Sequence, residues 1–189
     1  MDIESEINKC IEVLRRGGTI LYPTDTIWGI GCDATNSLAV EKIFQIKKRS
    51  ESKSLIILVA DEKMLGKYVK EIPSVAMEIN ILSNNPVTII YDDVFGISIK
   101  VLAGDGSAGI RIARDEFCKK LISRFRRPLV STSANLSGGK VPGSFREIEF
   151  EIVKAVDYAV NLRRNENSLT AVSSVIKIKP NGEIKIIRK

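Results

Sequence analysis

An α/β fold built on a mixed β-sheet with flanking helices is what this sequence predicts, and three observations carry the prediction. Segments with a helical apolar period alternate with short β-branched runs along most of the chain, the pattern of strands joined by crossover helices. The end, "AVSSVIKIKPNGEIKIIRK", reads as a hairpin turning at Asn181-Gly182, so the sheet cannot be wholly parallel. Finally, 189 residues at 44% hydrophobic content can bury one sizeable core, which makes residues 1–189 a single domain.

The elements follow in order. Ile3, Ile7, Ile11 and Leu14 recur at helical spacing and Gly17-Gly18 supplies a stop, so residues 3 to 16 read as an amphipathic helix. "TILYP" is a strand, and the polar "TDTIWGIG" after it reads as its mouth or as a tight connection in which Asp25 holds the turn. "SLAVEKIFQIKK" is a second helix with Ser37 as its cap and Val40, Ile43 and Phe44 facing the core. "SLIILVA" is apolar throughout, as a strand covered on both faces should be. Asp61 and Pro73 open two short helices, and "PVTIIYD" and "GISIKVLA" are expected strands. "GIRIA" is a strand, Asp115 caps a helix carrying Phe117, Leu121, Ile122 and Phe125, and "RPLVSTSAN" is a strand running into a polar loop. Ser144 with Glu147 forms a capping box before Ile148, Ile152 and Val156.

Composition narrows the chemistry. The chain has no histidine, which removes the commonest general base near neutral pH, the commonest zinc ligand and every serine–histidine or cysteine–histidine machine. Catalysis is left to carboxylates, lysine, hydroxyls, backbone amides or a hard metal riding on substrate phosphate. A net charge of +6 suits an anionic partner, a nucleotide or a nucleic acid. Cys10, Cys32 and Cys118 are odd in number and far apart, so they read as small buried hydrophobes rather than a disulfide framework. No apolar run approaches the ~20 residues a membrane span needs. The first ten residues are acidic and polar, unlike a signal peptide, and a cytoplasmic protein is the expectation.

Four polar stretches sit where strands end or helices begin, the usual place for ligands in open α/β sheets. Thr24 and Thr26 flank Asp25 in the first, beside Gly29 and Gly31. Lys47 and Arg49 lie in the second, "KKRSESKS", either as a solvated helix end that suits the dipole or as a phosphate clamp. The third, "GDGSAGIRIA", holds Ser107 and feeds Arg111 into a strand. Ile110 and Ile112 take the opposite face from Arg111 on a two-residue period, so Arg111 could look into a cleft and grip a carboxylate with its fork. The fourth, "STSANLSGG", crowds Ser131, Thr132, Ser133, Asn135 and Ser137 at one strand exit. Each alone is as well explained by an ordinary loop or surface, but four in one small domain look like a nucleotide site.

In this order, "LYPTDTIWGIG", Lys47-Lys48-Arg49, "GIRIA" and "STSANLSG" resemble the YrdC-like family of threonylcarbamoyl-AMP synthases over nearly the whole chain. The resemblance implies a twisted mixed sheet with a large basic concave cavity. It implies a nucleotidyltransferase that makes threonylcarbamoyl-AMP and pyrophosphate from L-threonine, bicarbonate and ATP. That product serves the threonylcarbamoyl modification of tRNA adenosine 37, with the transfer made by separate proteins. By position, Thr24, Thr26, Arg111 and Ser131 would hold threonine. Lys47, Arg49, Ser107, Ser133, Asn135 and, near the end of the hairpin, Arg188 would face ATP. Catalysis would be alignment plus charge neutralisation by Lys47, Arg49 and a phosphate-bound Mg²⁺, with no metal held by the protein. The chain departs from the family pattern at Ser50, where many members have proline, at Trp28, often tyrosine, and at Leu58, where some carry a histidine. It also looks like the short form, without the extra carboxy-terminal domain. Two other readings stay open: an RNA-binding module that uses the basic cavity without chemistry, and a paralogue with a different substrate.

Overall fold

The computed structural model describes residues 2–48, 55–166, 172–179 and 181–189. Asp2 accepts from the Glu4 N–H and opens α1 (Ile3–Arg15), which buries Ile7, Cys10, Ile11 and Leu14. Gly17, at φ +70°, then turns the chain where a side chain would be strained. β1 (Ile20–Tyr22) is followed by β2 (Gly29–Asp33), buried at every position. The glycines of the first polar stretch therefore lie in a strand, not in a strand-to-helix connection. α2 (Ser37–Ile46) is capped by Asn36, whose side chain accepts from the N–H groups of Leu38 and Ala39. Ser37, the expected cap, is already helical, and its hydroxyl pairs at 2.8 Å with that of Ser98.

β3 (Ile56–Val59), α3 (Glu62–Leu65) with Asp61 as cap, α4 (Ser74–Leu82) after Pro73 and β4 (Val87–Tyr91) stand where the sequence places them. The strand expected at "GISIKVLA" is absent. Ile99–Val101 form a 3-10 turn, held by the Ser98 hydroxyl accepting from Lys100 N–H, with Ile99 80% exposed and Val101 buried. β5 (Ala108–Ile112), α5 (Glu116–Phe125) capped by Asp115, and β6 (Leu129–Ser133) follow as expected. The Ser144–Glu147 pair closes a 3-10 turn instead of a helix: Glu147 accepts from the Gly143 N–H and the Ser144 hydroxyl, and α6 (Phe150–Ala155) starts only after Glu149. β7 (Tyr158–Ala159), which the sequence analysis did not anticipate, and the hairpin β8 (Ser174–Ile178) with β9 (Ile184–Arg188) complete the chain.

Among the described residues the strands form one nine-stranded sheet in the order β7-β1-β2-β6-β3-β5-β4-β8-β9. It is parallel at β7/β1, β3/β5 and β4/β8 and antiparallel at the other pairs, the mixed sheet the terminal hairpin requires. Cross-strand partners share a face, so the register sorts the sheet into two faces. One row runs Cys32, Val130, Ile57, Ile110, Ile89 and Ile176, apolar throughout and buried. The neighbouring row runs Gly31, Ser131, Ile56, Gly109 and Ile90, where small and hydroxyl residues replace bulk. Helices α1, α2 and α5 pack on β1, β2 and β3.

Glu6 ties the first helix to the sheet edge. Its buried carboxylate accepts from the Tyr158 hydroxyl at 2.7 Å, from the Asn161 N–H at 2.8 Å and from Lys9 at 3.0 Å. Burial alone would raise its pKa, but these donors outweigh it and hold the carboxyl below the usual range. The three thiols are buried and free of disulfides, with burial pushing Cys10 up to about 12, as inert core residues should be. No helix among the described residues is long and apolar enough to cross a membrane.

Candidate active site

The polar row forms the floor of a cavity of about 360 Å³, the size of a small-ligand site. Each strand end contributes by its register. β5 places Gly109 and Arg111 two residues apart, β6 places Ser131 and Ser133, and β4 adds Thr88 and Ile90. Ser173, Val175 and Arg188 close the far side from the carboxy-terminal hairpin. Glycine keeps the floor open: a Cβ on Gly29 would stand 3.2 Å from Ser131 Oγ, and one on Gly109 would stand 3.1 Å from Thr88 Cγ2. Among the described lining residues the only charged groups are Arg111 and Arg188, and none is a carboxylate. The described lining thus combines two arginines with threonine and serine hydroxyls, a composition that suits an anionic ligand.

The mouth of β1 is built by its own threonines. Thr24 Oγ1 donates to the Ile27 carbonyl at 2.7 Å, accepts from the Thr26 N–H at 3.0 Å and meets Thr26 Oγ1 at 3.0 Å. From outside, Arg163 donates to the Thr24 carbonyl at 3.1 Å while pairing with Asp115 at 2.6 Å. Cys118 Sγ donates to the Pro23 carbonyl at 3.4 Å. The amino end of α5 thus grips the mouth directly. Arg111 reaches the same turn from β5, with Nη1 donating to Thr26 Oγ1 at 3.3 Å and Nη2 paired to Asp25 Oδ1 at 3.0 Å. Arg111 is 4% exposed, and its Nε is buried without a hydrogen-bond partner among the described residues. A buried donor left open beside a cavity is a place for a ligand acceptor.

Six of the ten residues assigned to threonine or ATP line this cavity: Thr24, Thr26, Arg111, Ser131, Ser133 and Arg188. Arg111 points as the two-residue period requires, with Ile110 buried on the apolar face. Arg188 donates from Nε and Nη2 to the Ser173 carbonyl, at 3.2 and 2.7 Å. The other described ones stand behind the lining. Lys47 is only 1% exposed, so it is no solvated helix end. Its ammonium donates to the carbonyls of Ser133 and Asn135, and its own carbonyl accepts from the Ser137 N–H at 2.9 Å. Asn135 donates from Nδ2 to the carbonyls of Leu136 and Gly139 at 2.8 and 2.9 Å, and its Oδ1 is buried without a partner among the described residues. The Ser107 hydroxyl donates to Asp105 at 2.6 Å; with the Ser107 N–H and Lys177, it holds that carboxyl down at about 2. Arg49 lies outside the described residues.

Thr88 and Ser173 were missed. Their hydroxyls pair at 2.9 Å across β4 and the start of the hairpin, fully buried beside the floor. The available signal was a single hydroxyl in the apolar run "PVTIIYD". Among the described residues no cluster of three or more cysteine, aspartate or glutamate side chains could hold a metal ion.

Comparison with known proteins agrees with this geometry. A family model described as Sua5/YciO/YrdC, telomere recombination, matches residues 12–189. The threonylcarbamoyl-AMP synthase of Pseudoalteromonas translucida is 34% identical over 188 residues, covering 97% of this chain and 98% of that one. The protein of the same name from Idiomarina loihiensis is 32% identical over 148 residues, 76% of this chain and 79% of that one. Among solved structures, P. abyssi Sua5 complexed with L-threonine superposes with a TM-score of 0.82 at 25% identity, covering 94% of this chain and 52% of that one. The present chain therefore spans about half the length of that Sua5. E. coli YciO shares the fold with a TM-score of 0.81 at 23% identity, over 100% of this chain and 90% of that one.

Proposed function

The chain belongs to the Sua5/YciO/YrdC family, and from that premise we propose that it is an enzyme, an L-threonylcarbamoyladenylate synthase. The observation that carries this reading is a buried arginine with an open donor, set among threonine and serine hydroxyls in a cavity whose described lining has no acid. A guanidinium fork suits the α-carboxylate of L-threonine, the ligand bound in the Sua5 structure. Thr24, Thr26 and Ser131 surround it and supply short polar contacts. The hairpin side, with Arg188, suits ATP, and Lys47 is tied to the carbonyls of Ser133 and Asn135 beside it; Arg49, outside the described residues, keeps the phosphate role that the resemblance implies.

The threonine amine condenses with bicarbonate to form a carbamate, the bicarbonate hydroxyl and an amine proton leaving as water. A carbamate oxygen attacks the α-phosphorus of ATP, that bond forms as the bond to the β-phosphate bridging oxygen breaks, and pyrophosphate leaves. No protein nucleophile is required, which suits a chain without histidine. The protein aligns three reactants and neutralises developing negative charge. Mg²⁺ would arrive with ATP, held by phosphate oxygens, since none of the described lining residues is a carboxylate. The adenylate would then pass to separate transfer proteins that modify tRNA.

The test is pyrophosphate release from ATP, Mg²⁺ and bicarbonate, screened across amino acids. Release should depend on L-threonine, with serine weaker and amino acids lacking a β-hydroxyl weaker still. Release with another amino acid but not threonine would assign a different substrate, and salt-sensitive RNA binding with no release would leave a binding module.

A further inference from the structure

Arg111 is buried, lines the cavity and has an Nε without a hydrogen-bond partner among the described residues, so other contacts must fix the plane of its guanidinium. Two residues of the β1 mouth do. Thr26 Oγ1 accepts from Nη1 at the long distance of 3.3 Å, and Asp25 Oδ1 pairs with Nη2 at 3.0 Å. Asp25 is not needed to close its own turn, because Thr24 makes those hydrogen bonds with its hydroxyl. Nor does Asp25 line the cavity. Its second oxygen accepts from the backbone N–H of Arg114 at 3.4 Å, which ties the carboxylate to the end of the strand that carries Arg111. Both side chains are nearly withdrawn from water, at 5% exposure for Arg111 and 12% for Asp25. A pair so placed is sensitive to the loss of either member, since the other is left as a buried uncompensated charge.

We propose that Asp25 is the positioning residue of the amino-acid site. It holds Nη2 of Arg111 from behind, cancels the arginine's charge while the site is empty, and leaves the Nε–H aimed at the position of the ligand carboxylate. Of the five guanidinium N–H groups, Asp25 and Thr26 each take one, so Nε and one hydrogen on each terminal nitrogen remain for a fork. The assignment of the ligand as an amino acid rests on the function proposed above; the lock on Arg111 does not.

The experiment therefore has two arms. In the first, no ligand is needed. The Arg111 Nε–H resonance of nitrogen-15-labelled protein, assigned by its loss in Arg111→Lys, should exchange slowly with water. In Asp25→Ala it should exchange as fast as a surface arginine, while Asp25→Asn, which keeps an acceptor oxygen, should lie between. Equal protection in wild type and Asp25→Ala overturns the proposal. In the second arm, threonine and ATP are titrated separately. Asp25→Ala should raise the threonine KM about tenfold or more with the ATP KM nearly unchanged, and should lower the melting temperature because the buried guanidinium is left unpaired, whereas Asp25→Asn should lower it less. Placed on Arg111→Lys, it should add less than about twofold, because the two residues act as one unit. An unchanged threonine KM, parallel rises in both KM values, or full additivity each overturns it. If wild type uses no threonine at all, the proposed function falls instead, and the resonance alone decides the lock.

Discussion

Lys47 and Arg111 are both buried cations, and they do different work. Arg111 lines the cavity and has an Nε without a hydrogen-bond partner among the described residues, so it carries the proposed ligand contact. Lys47 directs its ammonium to the carbonyls of Ser133 and Asn135, and so holds the exit of β6 in the shape that presents Ser133 to the floor. In the sequence its place at a helix end allowed a solvated side chain whose removal would cost little stability. Burial reverses that expectation. Lys47→Ala strands two carbonyls, and the loss should be roughly 1.5–3 kcal/mol of stability. In a chain of this size that is a drop of several degrees in melting temperature. A melting temperature unchanged within a degree would show that the two carbonyls find other donors, and that Lys47 serves the ligand alone.

At the scale of elements, α1 is joined to the short edge strand β7 and the residues after it through Glu6. The folded carboxyl is held below its ordinary value, so the stabilisation it gives is complete above about pH 4.3, the unfolded value. It is lost as pH falls through the lower folded value. Glu6→Gln should therefore be less stable than wild type by about 1–3 kcal/mol at neutral pH, with the gap closing on acidification. Thermal melts of both proteins between pH 7 and 3 check this; a gap independent of pH would assign Glu6 a packing role only. The same scale shows which elements were legible. α1, α5 and the hairpin announce themselves by period, cap and turn, and each forms as expected. β2 did not, because glycines that mark turns elsewhere serve here to admit the Tyr22 ring: a Cβ on Gly31 would stand 2.7 Å from it. "GISIKV" alternates like a strand, but Ser98 caps a local turn there, and a side-chain hydrogen bond of that kind has no signature in hydrophobic period.

In the whole molecule, one face of the sheet is apolar and the other is hollowed by glycine and hydroxyl residues into the cavity that Arg111 and Arg188 line. Much of that site was legible, because Thr24, Arg111, Ser131 and Ser133 stand in short polar stretches at strand ends and the sheet register brings them to one cavity. The contribution of Thr88 and Ser173 was not, since it depends on β8 pairing beside β4, a long-range contact that no local pattern announces. The central claim is that this cavity joins threonine, bicarbonate and ATP. Its most direct measurement is the product itself: carbon-13 bicarbonate, L-threonine and ATP are incubated with the protein and resolved by mass spectrometry. The account predicts threonylcarbamoyl-AMP carrying one labelled carbon, formed in step with pyrophosphate and abolished in Arg111→Ala. Pyrophosphate or ADP released without any labelled adenylate would contradict it.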